Sequence, residues 1–126
     1  MVKLEATIIG LDQTVLCIMR MRKGYVFKVN NTRYIIPRGI IPQIVSTLLA
    51  IPEKSEGTTE NIKLTSSGYE RISVTKVHDE SNNISIDYVE ITLKIAEGET
   101  TAKLLPDECK SMAAWLTNYI IPATVA

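Results

Sequence analysis

Arg20, Arg22, Tyr25, Phe27 and Tyr34 are five side chains able to hold an anionic polymer, and they crowd into one short stretch. The chain has five Tyr and one Phe in all, so half of these rings fall between positions 25 and 34. Rings stack on unpaired bases, and guanidinium groups meet phosphates or stack in their turn. Lys23 and Arg38 flank the set with further positive charge. Such a group binds; it does not make or break bonds.

Little else in the chain points to reaction chemistry. His78 is the only histidine and falls in or beside a polar turn, where a solvated ring is the ordinary outcome. One His and two distant Cys give no metal-ligand spacing, so neither a metal nor a cofactor is expected. Cys17 falls in an apolar strand pattern and Cys109 on an apolar helix stripe, as buried thiols do. There is no glycine-rich phosphate loop. Asp87 and Glu90 are the one carboxylate pair spaced for acid–base work, but no reacting partner stands beside them. Asp107 and Glu108 fit a helix start, and Trp115 a core or an interface. The expectation is a non-enzyme with no catalytic residue.

The rings and arginines are positioned by the stretch from Val15 to Arg38. It reads as three short strands joined by tight turns at Lys23-Gly24 and Asn30-Asn31, residues that tolerate positive φ. Those turns set a register with Arg22 opposite Tyr25, Arg20 opposite Phe27 and Ile18 opposite Val29. Across the second turn Val29 faces Thr32, Phe27 faces Tyr34 and Tyr25 faces Ile36. One face then carries Arg20, Arg22, Tyr25, Phe27 and Tyr34 with Ile18, Val29 and Ile36. The other carries Cys17, Met19, Met21, Val26 and Ile35, with Lys28 and Arg33 near the second turn. The second face suits a core and the first a binding surface. The competing reading makes the first face the core, with its arginines at the rim.

Around this stretch the patterns are simple. Val2–Ile9 alternates as a strand, and 10–13 turns. Ile40–Ile51 has helical spacing with Pro42 in its first turn and is apolar nearly all round, so it is buried or in a subunit contact. The segment 52–61 is a polar linker. Ile62–Leu64 and Tyr69–Val77 are strands, and 79–83 is a turn. Ile84–Ala96 is a strand whose apolar phase shifts, the mark of a bulge. Thr100–Leu105 is the last strand, and a helix begins at Pro106. Ile35-Ile36-Pro37 and Leu104-Leu105-Pro106 correspond at an offset of 69 residues, so 1–51 and 62–121 repeat in pattern. The fold class is α+β: a duplicated antiparallel sheet-plus-helix unit, with three to four strands and one helix, twice.

With 126 residues and 45% hydrophobic content the chain is one globular domain, 1–126. Net charge is zero but uneven: Met1–Arg38 has seven Lys/Arg against two acids, and Pro52 onward has seven against twelve. A basic half points to an anionic partner, or to halves and subunits that attract each other. No membrane span or signal sequence is read, so a cytoplasmic, non-membrane protein is expected. The Ile-rich, Gln-poor composition leans towards a thermophile.

The runs ERISVTKV, ISIDYVEI and AKLLPDECKSMAAWL, within Tyr69–Leu116, resemble the strand–strand–strand–helix run of the Whirly and positive-cofactor-four superfamily of single-stranded DNA binders. The archaeal thermophile single-stranded DNA-binding proteins share a related plan. The resemblance implies a duplicated sheet-plus-helix fold and a single-stranded nucleic-acid partner, DNA before RNA. The basic glycine-alanine strand motif of plant Whirly proteins is absent. The second half also lacks the cofactor's DNA-gripping lysines and arginines, so the resemblance moves binding to Arg20, Arg22, Lys23, Tyr25, Phe27, Tyr34 and Arg38. The alternative is a homo-oligomeric assembly protein using the same surface, and a dimer is expected in either case.

Overall fold

The computed structural model describes residues 5–22 and 24–120, with the backbone alone at 119 and 120. Four strands come first: β1 (Glu5–Ile9), β2 (Val15–Met21), β3 (Gly24–Val29) and β4 (Thr32–Ile36). A turn of 3-10 helix at Arg38–Ile40 leads into α1 (Ile41–Ala50). The plan then repeats with β5 (Thr59–Lys63), β6 (Arg71–Ser81), β7 (Ile84–Ile95), β8 (Gly98–Leu104) and α2 (Pro106–Trp115). Each sheet is antiparallel with its strands in chain order. The duplicated α+β unit is therefore four strands and a helix, twice.

Short turns set the registers. Asn82 and Asn83 both have positive φ, 52° and 64°, and close a two-residue hairpin with Ser81 opposite Ile84. Asn30, at φ 54°, turns β3 into β4, and the pairs Val29–Thr32, Phe27–Tyr34 and Tyr25–Ile36 are those expected. The first hairpin differs. Its partners are Arg20–Tyr25, Ile18–Phe27 and Leu16–Val29, a slip of two residues. Gly24 is no turn residue but the first residue of β3, where a Cβ would lie 2.7 Å from the Ile36 carbonyl oxygen. An even slip leaves every side chain on its face, so the face assignments survive.

The ring-bearing face points inward, which corrects the binding-surface reading and agrees with the competing one. Leu16, Ile18, Tyr25, Phe27, Val29 and Ile36 are buried, with Tyr25 and Phe27 1% exposed. Rings of this size remove far more apolar surface from water than the methionines opposite. Arg20 lies at the end of that face and Arg22 in the turn, so neither guanidinium enters the core. The inner face of the second sheet supplies Ile62, Ile72, Val74, Val89, Ile91 and Leu93, and the two inner faces meet through β3 against β7 and β2–β3 against β8. Leu16, Phe27, Ile44, Leu48, Ile62, Ile72, Val74 and Ile91 surround one void of about 10 Å³, whose apolar lining offers a water no partner.

The helices close the core and lie against each other. Ile41, Ile44, Val45 and Leu48 form the buried stripe of α1, and Cys109, Met112 and Ala113 that of α2. Pro106 opens α2, and the Leu105 N–H donates to Glu108 Oε1 at 2.8 Å. The α1 segment is thus covered within the chain, and its apolar character no longer argues for a subunit contact.

Two other expectations change. The polar linker 52–61 is largely ordered: Pro52 is buried, Thr59–Asn61 belong to β5, and Gly57 and Thr58 bond to the Lys76 backbone. Among the described residues Lys76 is the one buried charge, and its Nζ donates to the Pro52 carbonyl at 2.7 Å beside the negative end of α1. β7 has no bulge, for its pairing with β6 runs unbroken from Arg71–Lys94 to Ser81–Ile84. The apolar phase shifts because residues 78–85 extend as a two-stranded arm, exposed throughout, whose outer face carries Ile84. The strand expectation for Val2–Leu4 lies outside the described residues.

The sheets are also tied at their margins. The β1–β2 turn meets β8 through Leu11 N–H to the Lys103 carbonyl, 2.8 Å. Asn30 Oδ1 accepts from the Val15 N–H, and its Nδ2 donates to Thr100 Oγ1 and the Thr101 carbonyl.

Candidate nucleic-acid interface

The residues that the sequence groups as a binding set are divided between core and surface. Tyr25 and Phe27 are sealed in the core, and no base can reach them. Tyr34 is half-buried at the sheet edge, where its hydroxyl donates to Glu70 Oε1 at 3.3 Å. Burial and the Glu70 charge both push that phenol above its usual pKa. Arg20, Arg22 and Arg38 are exposed near one end of the first sheet, and Lys23 lies outside the described residues. Arg20 and Arg22 form no hydrogen bond or ion pair among the described residues. What remains of the expected face is a cationic end without rings.

A face with both rings and cations exists on the other sheet. In the second sheet the buried residues alternate with an outward set, and the ladder aligns that set in rows. One row is Lys63, Arg71, Lys94 and Glu99 across β5 to β8. The next is Asn61, Ser73, Thr92 and Thr101, joined in pairs by bonds of 2.6 and 2.8 Å. A third is Thr59, Thr75, Glu90 and Lys103. Tyr69 is 55% exposed beside the first row, with Lys94 Nζ 5.1 Å from its ring centre. Tyr88 stands past the third row with Lys103 Nζ 5.7 Å away, and Lys103 also pairs with Asp12 at 3.1 Å.

Local structure explains the Tyr69 end. Gly68 adopts φ +77°, and its missing side chain leaves space occupied by the Lys63 stem. Arg71 Nη1 donates to the Gly68 carbonyl at 3.3 Å, holding the loop that presents Tyr69. Three cations directly opposite one another on neighbouring strands repel, and only Glu99 closes the row. An anionic ligand relieves that repulsion. The signal was present in the sequence as the regular exchange of Ser, Thr, Lys and Arg with Ile and Val through Arg71–Thr75 and Glu90–Lys94. A lone Tyr before such a strand does not announce itself.

Other clusters of polar side chains lie away from this face. His78 donates from Nδ1 to Asp87 at 2.5 Å and from Nε2 to Glu80 at 3.0 Å, with Ser85 Oγ 3.2 Å from Nε2. Ser, His and Asp thus lie in line, as in a hydrolase triad. Both ring nitrogens are engaged by carboxylates, and the hydrogen bonds to Glu80 and Asp87 raise the imidazole to about 9. It clamps the arm from the exposed surface of β6, bonded on both ring nitrogens where an unengaged turn histidine is expected. Asp87, its carboxyl held low by that bond, belongs to this clamp; Glu90 sits in the third outer row, so the two do not form a pair. Burial raises both thiols, Cys109 to about 12. An open groove of about 740 Å³ beside β4 sets Arg33 against Glu70 and Glu97, offering no consistent sign to a charged ligand. Among the described residues no group of His, Cys, Asp or Glu could hold a metal, and no helix is long and apolar enough to cross a membrane.

No family model, curated protein or solved structure matches the chain.

Proposed function

We propose that the protein binds single-stranded nucleic acid, without catalysis, through the outward face of the second sheet. The observation that carries this reading is the row Lys63–Arg71–Lys94 with the exposed ring of Tyr69 beside it. A base stacks on the free side of Tyr69 while the neighbouring phosphates meet Lys63 and Arg71. The hydroxyl and amide row alongside offers bonds to sugar or base edges. Duplex is the poorer fit: a flat sheet face enters no groove, and Tyr69 needs an unpaired base. Arg20, Arg22 and Arg38 add positive field that speeds encounter with an anionic strand. The duplicated sheet–helix plan, which the resemblance to Whirly-like single-strand binders also implies, lends the reading further support.

Fluorescence anisotropy with labelled oligo-dT and oligo-U at two salt concentrations tests it. Tyr69→Ala should weaken binding by roughly 1–3 kcal/mol, the worth of one base–aromatic stack. Lys63→Ala should lower the salt slope by about 0.7, the share of one neutralised phosphate on a single strand. Wild-type protein that binds neither oligomer at low salt, or Tyr69→Ala that binds as wild type does, defeats the proposal.

A further inference from the structure

The edges of the two sheets end differently. The β8 edge is tied to the first sheet through Leu11 and Asn30, and α2 lies against β1. The outer edge of β4 has no such tie. The closing pair of a two-residue hairpin bonds to itself, and bonded pairs alternate along the ladder. Thr32, Tyr34 and Ile36 therefore spend their backbone groups on β3. Arg33 and Ile35 turn theirs away from it, and among the described residues neither backbone finds another partner. No proline or bulge guards this edge, for β4 pairs without a break from Thr32 to Ile36. It opens into the groove of about 740 Å³, whose two sides differ. With Tyr34 stand Ile95, Glu70 and Glu97, and both carboxylates act on the Tyr34 hydroxyl. Glu97 is exposed and has no ion pair among the described residues. On the opposite face of β4 stand Arg33 and Ile35, the latter 61% exposed. A small ion meets both signs there. An extended chain does not, because its successive side chains point to opposite faces.

We propose that the β4 edge is a docking site for an extended peptide of a partner protein, added to the first sheet as a fifth strand. The N–H and C=O groups of Arg33 and Ile35 supply the backbone bonds, and the two sides of the groove choose the side chains. Every second side chain of the peptide lies beside Tyr34 and Ile95, between Glu70 and Glu97, and is basic. The side chains between them lie beside Ile35 and are apolar. A second copy of the chain is a poor occupant. Pairing β4 with β4 about a two-fold axis normal to the sheet keeps both inner faces on one side, so two sets of Glu70 and Glu97 would meet. A nucleic acid would bring phosphates to the same carboxylates. The inference stands apart from the nucleic-acid reading, whose face belongs to the other sheet.

Fluorescence anisotropy of the full chain with a labelled heptapeptide of alternating valine and lysine is the test. The peptide should saturate below about 1 mM, and its counterpart of valine and glutamate should not bind. Glu97→Lys reverses a charge at the exposed side of the groove and should weaken binding about tenfold or more. Ile35→Pro removes one outward N–H that the fold does not use and should weaken it about as much. Thermal melts near wild type would show both variants folded. Methylating either the valine or the lysine backbone nitrogens blocks one edge of the added strand and leaves the other open. One methylated peptide should therefore bind as the parent does, and the other about tenfold or more weaker. The Arg33 and Ile35 amides should exchange quickly in the free chain and slowly in the complex. A chain that does not bind the valine–lysine peptide overturns the proposal. So do methylated peptides that bind alike, or Arg33 and Ile35 amides unchanged on binding. Amides already protected in the free chain overturn it too, because a second copy or the chain's own terminus then fills the edge.

Discussion

Replacing Phe27 with alanine separates the two meanings that a ring on a β-strand can have. The side chain is 1% exposed and borders the void shared by both sheets and α1. Phe27→Ala should therefore cost about 3–5 kcal/mol of stability, read as a lowered urea midpoint, whatever it does to ligand binding. Alternation along β2 and β3 told which residues share a face, and that part was legible. It could not tell which face turns inward, because both carry enough apolar surface to be a core. Rings weigh as much in a core as on a stacking surface, so Tyr25 and Phe27 pointed both ways and nothing marked Tyr69. His78 was illegible for another reason: its partners Asp87 and Ser85 come from the next strand, and only a register brings them near. As the only histidine it gives one titrating imidazole signal by NMR, expected near pH 9. Because the folded value lies above the ordinary 6.5, the clamp stabilises the arm fully below about pH 6.5 and is lost as pH rises through about 9. Asp87 is shifted the other way, so its share is present above the usual carboxylate range and is lost on acidification. An imidazole signal titrating near 6.5 would show that the clamp does not form.

Among the elements, the β3–β4 turn carries more than its hairpin. Asn30 combines a positive φ with side-chain bonds to β2 and β8, so it holds one sheet against the edge of the other. Asn30→Ala should cost about 2–3 kcal/mol, from lost bonds and a left-handed residue with a plain Cβ. Asn30→Gly keeps the turn geometry and loses only the side-chain bonds, so its melting temperature should fall between those of wild type and Asn30→Ala. Equal melting temperatures for all three would show that the ties are idle. Turn chemistry made the Asn30 register legible, since Asn at positive φ is a local preference. The Gly24 register was not legible for a related reason: this glycine answers the close approach of the Ile36 carbonyl, a contact set by β4 and not by the turn itself. Strand β5 was legible only at its Ile62 end, and Thr59–Asn61 were read as linker. Its polar sequence has little strand character, and it is ordered by its ladder to β6 beneath the buried Ile62.

At the scale of the whole molecule, the repeat of pattern became a repeat of architecture, and the uneven charge became two surfaces of different kinds. The common core has a consequence of its own. Neither half can bury its inner sheet face alone, because what covers that face is the other half. Each half is therefore the other's ligand, joined by the exposed residues Lys54–Glu56. A chain severed there should yield two fragments that are separately unfolded by circular dichroism and recover the native spectrum on mixing. Their recovery should be bimolecular, quickening with fragment concentration, whereas the intact chain refolds at a rate independent of it. The short segment at 54–56 then acts as a fixed local concentration, turning what would be an encounter between strangers into a closure within one chain.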